Sequence, residues 1–361
     1  MPGRRRVLSF RHTADPGKRP PARLAEGRSA LRLNRGLAPF AALALAGCAG
    51  APSTMAPRGP AAARIADLWW LMLALATLVF ALVVGGLLWA LFRPGRGRVD
   101  PVIVPVDRGP QRFLLVGSLA TGAVLLALMA VTFPAMRWLG AGAAVETTVE
   151  VIGHQWWWEV KYPQGFATAN ELHVPVGQPV QINLGAEDVI HSFWVPQLQG
   201  KMDAIPGRSN TTWIQADQPG EYRTLCAEYC GVQHAHMDLI VVAESAAQYG
   251  AWVDAQRRPA AQPSDPARLR GAQAFARVGC IACHAVRYGS GAAGVGGAAG
   301  PDLTHLASRR TLAAGRLDNT GGNLAGWLAD PQALKPGNQM PRLDLSADDR
   351  RDLVDYLSSL E

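Results

Sequence analysis

The sequence predicts a multidomain membrane protein, with a two-helix transmembrane hairpin, then an all-β barrel, then an all-α domain. Three observations predict it. Residues 68–92 and 113–136 contain no charge, and each run exceeds the roughly 20 residues a helix needs to cross a bilayer core. After Gly140 the text changes to short runs that alternate apolar and polar residues between Pro and Gly turns, the pattern of half-buried strands. Beyond residue 266 the periodicity is helical around a Cys-x-x-Cys-His motif.

Composition agrees. Of 361 residues, 49% are hydrophobic and only 17% charged, below the usual quarter, which excludes a disordered chain. The net charge of +7 would suggest a nucleic-acid partner if it were spread over the chain. Residues 1–47 hold ten Lys+Arg and two Asp+Glu, and the other 314 residues hold 25 and 26. The basicity belongs to the leader, so no nucleic acid is expected. The five cysteines, Cys48, Cys226, Cys230, Cys280 and Cys283, each fall in a chemical motif, which leaves none for a disulfide framework.

Residues 1–47 read as a signal peptide: an Arg-rich start, an apolar run over 37–46 and small residues at the end. Leu45-Ala46-Gly47-Cys48 resembles the lipobox of bacterial lipoproteins, in which the Cys is acylated; an ordinary signal cleaved nearby is the alternative. Residues 64–140 hold the two helices, with Trp69, Trp70, Trp89 and Trp138 near their ends, where interfacial aromatics collect. The loop over 93–112 carries Arg93, Arg96, Arg98, Arg108 and Arg112 against Asp100 and Asp107. Positive charge stays inside, so both flanking segments face outward, as an exported leader requires.

Residues 144–243 are the expected β domain, with strands over 145–151 and 178–184 and turns at Pro175, Gly177, Pro206-Gly207 and Pro219-Gly220. Within it, Cys226-Ala-Glu-Tyr-Cys230-Gly-Val-Gln-His234-Ala-His236-Met237 offers two thiols, imidazoles and a thioether, and His191 lies 35 residues before the first Cys. Soft sulfur ligands favour copper, and Met has no place in a zinc ribbon. A blue-copper site uses one Cys; the second Cys here lets two thiolates bridge two coppers. His236 reads as a polar interface residue, and His154 and His173 as non-ligands.

His191-Ser-Phe-Trp-Val-Pro, Asp203-Ala-Ile-Pro-Gly-Arg and the run 226–237 resemble subunit II of haem–copper cytochrome c oxidase. The resemblance implies a cupredoxin-like Greek-key barrel carrying a dinuclear CuA centre. Cys226 and Cys230 would bridge, and His191 and His234 would each bind one copper. Met237 would be the weak axial ligand of one copper, and the Glu228 carbonyl that of the other. The Glu228 side chain would reach a magnesium ion shared with subunit I. Gly153-His-Gln-Trp-Trp-Trp158 resembles the family's Gly-His-Gln-Trp-Tyr-Trp, which makes Trp156 the surface aromatic through which electrons enter. Core packing is the bland reading of these tryptophans. One departure is that 109–113 lacks the carboxylate that many members carry at the cytoplasmic start of the second span; Asp107 is the nearest substitute.

Pro259, Pro263 and Pro266 mark a linker over 244–266. Residues 267–361 form the all-α domain. A helix over 267–278 leads into Cys280-Ile-Ala-Cys283-His284, the covalent haem c attachment motif, with His284 as one axial ligand. Met340, in Gly337-Asn-Gln-Met340-Pro341, is the expected second ligand and His305 its rival. This resembles a monohaem cytochrome c, in which Pro301 packs beside the proximal His. The Gly/Ala run over 289–300 lacks the Gly-Lys-Ser/Thr of a phosphate loop and reads as a loop over the haem edge. Ser346, three residues before Asp349, caps a last helix whose face is Leu353, Val354, Leu357 and Leu360.

The resemblance implies an electron-input subunit of a proton-translocating respiratory oxidase in the bacterial inner (plasma) membrane, with copper and haem domains on the periplasmic side. Its partners would be subunit I and the other oxidase subunits, and its donor cytochrome c or a cytochrome bc complex. Oxygen would be reduced in subunit I, because this chain has no histidine in either span. The rival is a CuA and haem c subunit of another terminal reductase, such as nitric oxide reductase. A quinol oxidase subunit would lack the copper ligands.

Overall fold

A computed structural model describes residues 52–93, 108–142, 145–289 and 296–361. The expected leader 1–47, Cys48, most of the basic loop and half of the Gly/Ala run (290–295) lie outside the described residues. Two long helices open the described chain, α1 (Pro60–Phe92) and α2 (Arg108–Ala141). Both are long and apolar enough to cross a membrane, and their apolar windows are unburied within the chain, so lipid is the environment that suits them.

Helix α1 starts ahead of its uncharged run because its first turns are anchored to the β domain. Pro60 pre-sets the first helical turn, and Ala61, Ala62 and Ala66 are buried. Arg58 N donates to Gln197 O at 2.7 Å, and Asp217 N donates to Arg58 O at 2.8 Å. The end of α2 is held as well. Trp213 Nε1 donates to Leu139 O at 3.0 Å, and the Trp213 ring meets Trp138 edge-on at 5.2 Å. The Arg64 guanidinium lies over Trp138, 3.7 Å from the ring centroid.

The β domain has eleven strands: β1 (Thr147–His154), β2 (Trp157–Lys161), β3 (Ala167–Ala169), β4 (Glu171–Pro175), β5 (Val180–Ala186), β6 (His191–Trp194), β7 (Met202–Ala204), β8 (Asn210–Ile214), β9 (Gly220–Arg223), β10 (Leu225–Cys226) and β11 (Ile240–Glu244). They form sheets of order β3-β2-β1-β5-β8, β10-β6-β7 and β4-β11-β9. Alternation drives the burial: in β5, Val180, Ile182 and Leu184 point inward while Gln181 and Asn183 are half-buried. Trp158, Phe193, Leu172, Leu198 and Met237 complete the core, each large side chain stabilising by about 1.5–3 kcal/mol on burial. Most ladders are antiparallel. The exceptions are β1 on β5 and β4 on β11, which run parallel. Parallel pairing needs a long crossover, and the intervening strands supply it.

The stretch 244–266 contains helix α3 (Ala246–Arg257), opened by a Ser245/Gln248 capping box. Trp252 on α3 stacks on His173 with centroids 3.9 Å apart and also meets Tyr162 and Phe166 edge-on. Beyond it, Ala260 bridges to Tyr288, and Arg287 donates to Gln256 O at 2.9 Å. The prolines therefore join two packed segments rather than a free tether.

The last domain contains α4 (Pro266–Arg277), a two-stranded ladder of β12 (Thr311–Leu312) and β13 (Leu317–Asp318), then α5 (Gly321–Ala329), α6 (Pro331–Leu334) and α7 (Ala347–Leu357). Asp265 caps α4 and Ser346 caps α7. Helix α4 crosses α7 at Gly271. There a Cβ would lie 2.1 Å from Asp352 O and 2.6 Å from Tyr356 Cβ. Ala274 and Phe275 on one side and Leu353, Tyr356 and Leu357 on the other fill the crossing. Leu360 is buried with them, and Val354 is only partly covered.

Gly271→Ala should therefore destabilise the last domain by about 1–3 kcal/mol, the usual cost of overpacking, despite alanine's better helix propensity. Thermal unfolding of the full chain, followed by circular dichroism, should show a lower midpoint for that domain.

Candidate functional site

Two sites are built on facing loops. The first is the loop after β10. Cys226 ends β10, which pairs with β6 so that Cys226 stands opposite Phe193, two residues after His191. This register brings together residues separated by 35 positions. Cys226 Sγ lies 3.8 Å from Cys230 Sγ and 4.0 Å from His191 Nδ1. Cys230 Sγ lies 3.7 Å from His234 Nδ1 and 3.9 Å from Met237 Sδ. The Glu228 carbonyl is 3.3 Å from Cys226 Sγ, whereas the residue's carboxylate side is exposed. All six expected copper donors thus converge. The sulfurs are too far apart for a disulfide, which needs about 2.05 Å, and are spaced to hold metal between them. The ligand atoms of His191, Cys226 and Cys230 lie within 4.8 Å of one another, and all three residues are buried.

The surroundings prepare these donors. Asp188 Oδ1 accepts from His191 Nε2 at 2.9 Å, and Asp188 Oδ2 accepts from Gln155 N at 2.6 Å. Nε2–H is then committed, and Nδ1 is left toward the thiols, the arrangement that orients metal-bound histidines. Burial works against charging His191, but bonds to Cys226 and Asp188 outweigh it and raise its pKa. The Cys226 thiol is pushed well down, first by its bond with Cys230 and then by His191, while the shared proton pushes Cys230 up. The pair thus yields one thiolate readily, and a cation would draw off the second proton. Gly153 on β1 is required by contact, since a Cβ there would lie 2.7 Å from His191 Cδ2.

The second site is a cavity lined by Cys280, Cys283, His284, Phe275, Leu303, Leu328 and Met340. His284 Nδ1 donates to Pro301 O at 2.8 Å, which fixes the tautomer and leaves Nε2 for iron. Burial holds its pKa below the ordinary value, so the ring is neutral, as a ligand must be. Met340 is held by its backbone: its N–H donates to Asn338 Oδ1, and its carbonyl accepts from Gln332 Nε2, both at 2.8 Å. Two thiols, a neutral imidazole and a thioether on one apolar cavity are the donor set of a covalent haem with His/Met ligation. His305 does not line it. Its Nε2 lies 3.1 Å from Gln256 O and 3.0 Å from Arg258 O, so it is no rival to Met340.

Trp156 joins the sites. It was expected at the surface but is only 8% exposed, because the loop before Met340 packs on it. Its Nε1 donates to Cys230 O at 2.9 Å. A Cβ on Gly231 would lie 2.9 Å from Trp156 Cζ2, and one on Gly337 would lie 3.9 Å from Cη2. The indole therefore lies against both the Cys230 loop and the Met340 loop, and it lines the cavity that holds Cys280, Cys283 and His284. The remaining histidines among the described residues have other work. His154 stacks on Trp157 at 4.3 Å, His173 sits between Glu171 and Glu244, and His236 Nδ1 pairs with Gln233 Oε1 at 2.8 Å. Gly153 and Gln155 (whose Nε2 also donates to Cys230 O, at 2.7 Å) come from the Gly-His-Gln-Trp stretch, whereas Asp188, Arg309 and Lys335 shape the sites without belonging to a motif. Only Asp188 carries a local signal, an acid three residues before a histidine ligand.

Residues 163–244 match the family described as "Cytochrome C oxidase subunit II, periplasmic domain", and residues 269–361 match "Cytochrome c". The cytochrome c oxidase subunit 2 of Alkalihalophilus pseudofirmus is 35% identical over 333 residues, 89% of this chain and 95% of that protein. That of Bacillus subtilis is 31% identical over 345 residues, 88% and 95% of the two chains. A crystal structure of the periplasmic domain of subunit II of cytochrome oxidase from Bradyrhizobium japonicum aligns at 30% identity, with 32% of this chain and 95% of that chain covered and a TM-score of 0.31.

Asp188→Ala should weaken copper binding roughly 10- to 100-fold, the usual loss when the partner of a metal-bound histidine is removed. Gly153→Ala, which drives a methyl into the His191 ring, should do the same. Competition with a copper chelator reads both, and unchanged haem content confirms that the last domain is intact.

Proposed function

The chain belongs to the cytochrome c oxidase subunit 2 family and carries a cytochrome c domain. On that premise we propose that it is the electron-input subunit of a respiratory oxidase, taking electrons at a covalent haem c and handing them through a dinuclear copper centre to subunit I, where oxygen is reduced and protons are pumped. The observation that carries this reading is the position of Trp156 between the Cys230 loop and the Met340 loop. When bound, the copper pair and the haem supply two one-electron carriers. Everything else is the work of the chain. Cys226, Cys230, His191, His234, Met237 and the Glu228 carbonyl would hold the copper pair, and the exposed Glu228 carboxylate is the ligand this reading gives to a magnesium ion shared with subunit I.

Cys280 and Cys283 would anchor the haem, with His284 and Met340 on its iron. A Met/His pair raises the haem potential relative to two histidines, which suits delivery to an oxidase. Arg309, whose pKa burial lowers, lines the same cavity and offers a cation to the haem carboxylates. Trp156 and the Cys230 carbonyl offer a contact path between the cavity and the copper loop, so in this chain the tryptophan serves an internal donor. The basic loop between α1 and α2 supports placing both metal domains on the outer side of the bacterial inner membrane, with cytochrome c or a cytochrome bc complex as the donor to the haem.

The test is metal and haem analysis of the purified subunit with EPR. Two coppers and one haem per chain are expected, with a copper signal split by two nuclei. Cys230→Ser should abolish that delocalised signal. Met340→Ala should keep the covalent haem but lower its potential, whereas His191→Ala should leave haem reduction intact and stop electrons there. A wild-type chain holding one copper, or zinc alone, contradicts the proposal.

A further inference from the structure

Lys335 follows α6 on the loop that leads to Met340, and it is only 3% exposed. Its Nζ donates to Trp156 O at 2.7 Å and to Ala313 O at 3.2 Å. The first bond crosses from the haem domain to the copper domain; the second returns to the haem domain's own ladder turn. The next two residues touch the copper domain as well. Pro336 O accepts from Gln233 Nε2 at 2.7 Å. At Gly337 (φ +83°) a Cβ would lie 3.0 Å from Val232 Cγ2.

A buried ammonium is costly unless its hydrogens find acceptors. Among the described residues no carboxylate forms an ion pair with Lys335. The acid nearest in effect, Asp238, pairs with Arg223. Burial, opposed by Asp238, lowers the Lys335 pKa to about 7. An apolar side chain of the same length would fill this space without that cost. What it would lack is the donor that reaches the Trp156 carbonyl, on the residue whose indole already bonds to Cys230 O.

We infer that Lys335 is a positioning residue for electron transfer within the chain: its ammonium locks the methionine-bearing loop of the haem domain onto the backbone of Trp156. The assignment rests on the relay reading given above. It makes the haem domain a docked body with one pose, held at the residue that touches both ligand loops. The outer contacts, Arg310 with Glu171 and Glu221, are more exposed and add less.

The experiment uses the full chain loaded with copper and haem. It compares wild type with Lys335→Met, which keeps the length and removes the charge, and with Lys335→Arg. Four readouts are taken: amide hydrogen exchange of peptides spanning 155–158 and 311–316, the haem spectrum and potential, the copper EPR signal, and the rate of haem-to-copper transfer after flash reduction of the haem. For Lys335→Met, exchange should rise in both peptides and the rate should fall by about tenfold, as for loss of one charge-assisted bond from a docking equilibrium. The haem spectrum should keep its methionine-ligated form and the copper EPR signal should match wild type, and Lys335→Arg should recover part of the rate.

Wild-type exchange and rate in Lys335→Met overturn the assignment and leave the relay reading standing. Loss of the methionine-ligated haem spectrum also overturns it, since the lysine then serves the haem site and not the contact. Absence of transfer in wild type removes the relay reading, and this role with it. Should Lys335→Met not accumulate, Gly337→Ala lifts the same loop and should give the same pattern; an unchanged rate there counts equally against the inference.

Discussion

The indole N–H of Trp156 donates to the carbonyl of Cys230 at 2.9 Å, and both metal-binding loops are shaped around that bond. Two glycines make it possible. Gly231 follows Cys230 at φ +117°, and Gly337 precedes Met340 at φ +83°; both values favour a residue without a Cβ, and a Cβ at either would crowd the ring or its neighbour. The consequence is that one flat, mostly apolar ring is packed against both the Cys230 loop and the Met340 loop. Gln155, the residue before it, adds a second bond to the same carbonyl at 2.7 Å, so the copper loop cannot shift without disturbing the turn that follows strand β1.

Rigidity of that kind suits one-electron transfer, because donors that are already in place need little rearrangement when the charge of the metal changes. In the copper loop the pre-arrangement comes from outside the ligands. Asp188 ties the His191 ring to the Gln155 backbone, and the β6–β10 ladder sets the His191-to-Cys226 approach. In the haem cavity it comes from Pro301 on His284 and from Asn338 with Gln332 on Met340. Helix α3 extends this order to the connection. Its Trp252 stacks on His173 and so fastens the connector to the β domain, which leaves only a short stretch between α3 and the haem domain.

The candidate donors that the structure brings together were legible in the sequence because metal-binding patterns are written locally. Cys226, Cys230, His234 and Met237 fall within twelve residues, and Cys280, Cys283 and His284 within five. The spans and the strand texture were legible for a similar reason, since burial imposes a period on neighbouring residues. Features set by distant pairing leave no such mark. Lys335 meets Trp156 across 179 positions, and neither residue's neighbourhood signals the other. The parallel ladders of β1 with β5 and β4 with β11 are equally silent, because alternation reports a strand's face and not its partner. The connector differs. Ser245 and Gln248 form a readable capping pattern, but the three prolines after it give the whole stretch the texture of a linker and mask the helix.

The central claim is that one chain contains both ends of the electron path in a fixed relation. The most direct measurement is the rate of haem-to-copper transfer in the loaded wild-type chain after flash reduction of the haem, followed at several protein dilutions and two ionic strengths. A docked relay predicts a first-order rate that is the same at every dilution and nearly the same at both salts, since no charge-steered encounter is involved. A rate that scales with protein concentration, or collapses at high salt, would mean that the haem serves the copper of other molecules.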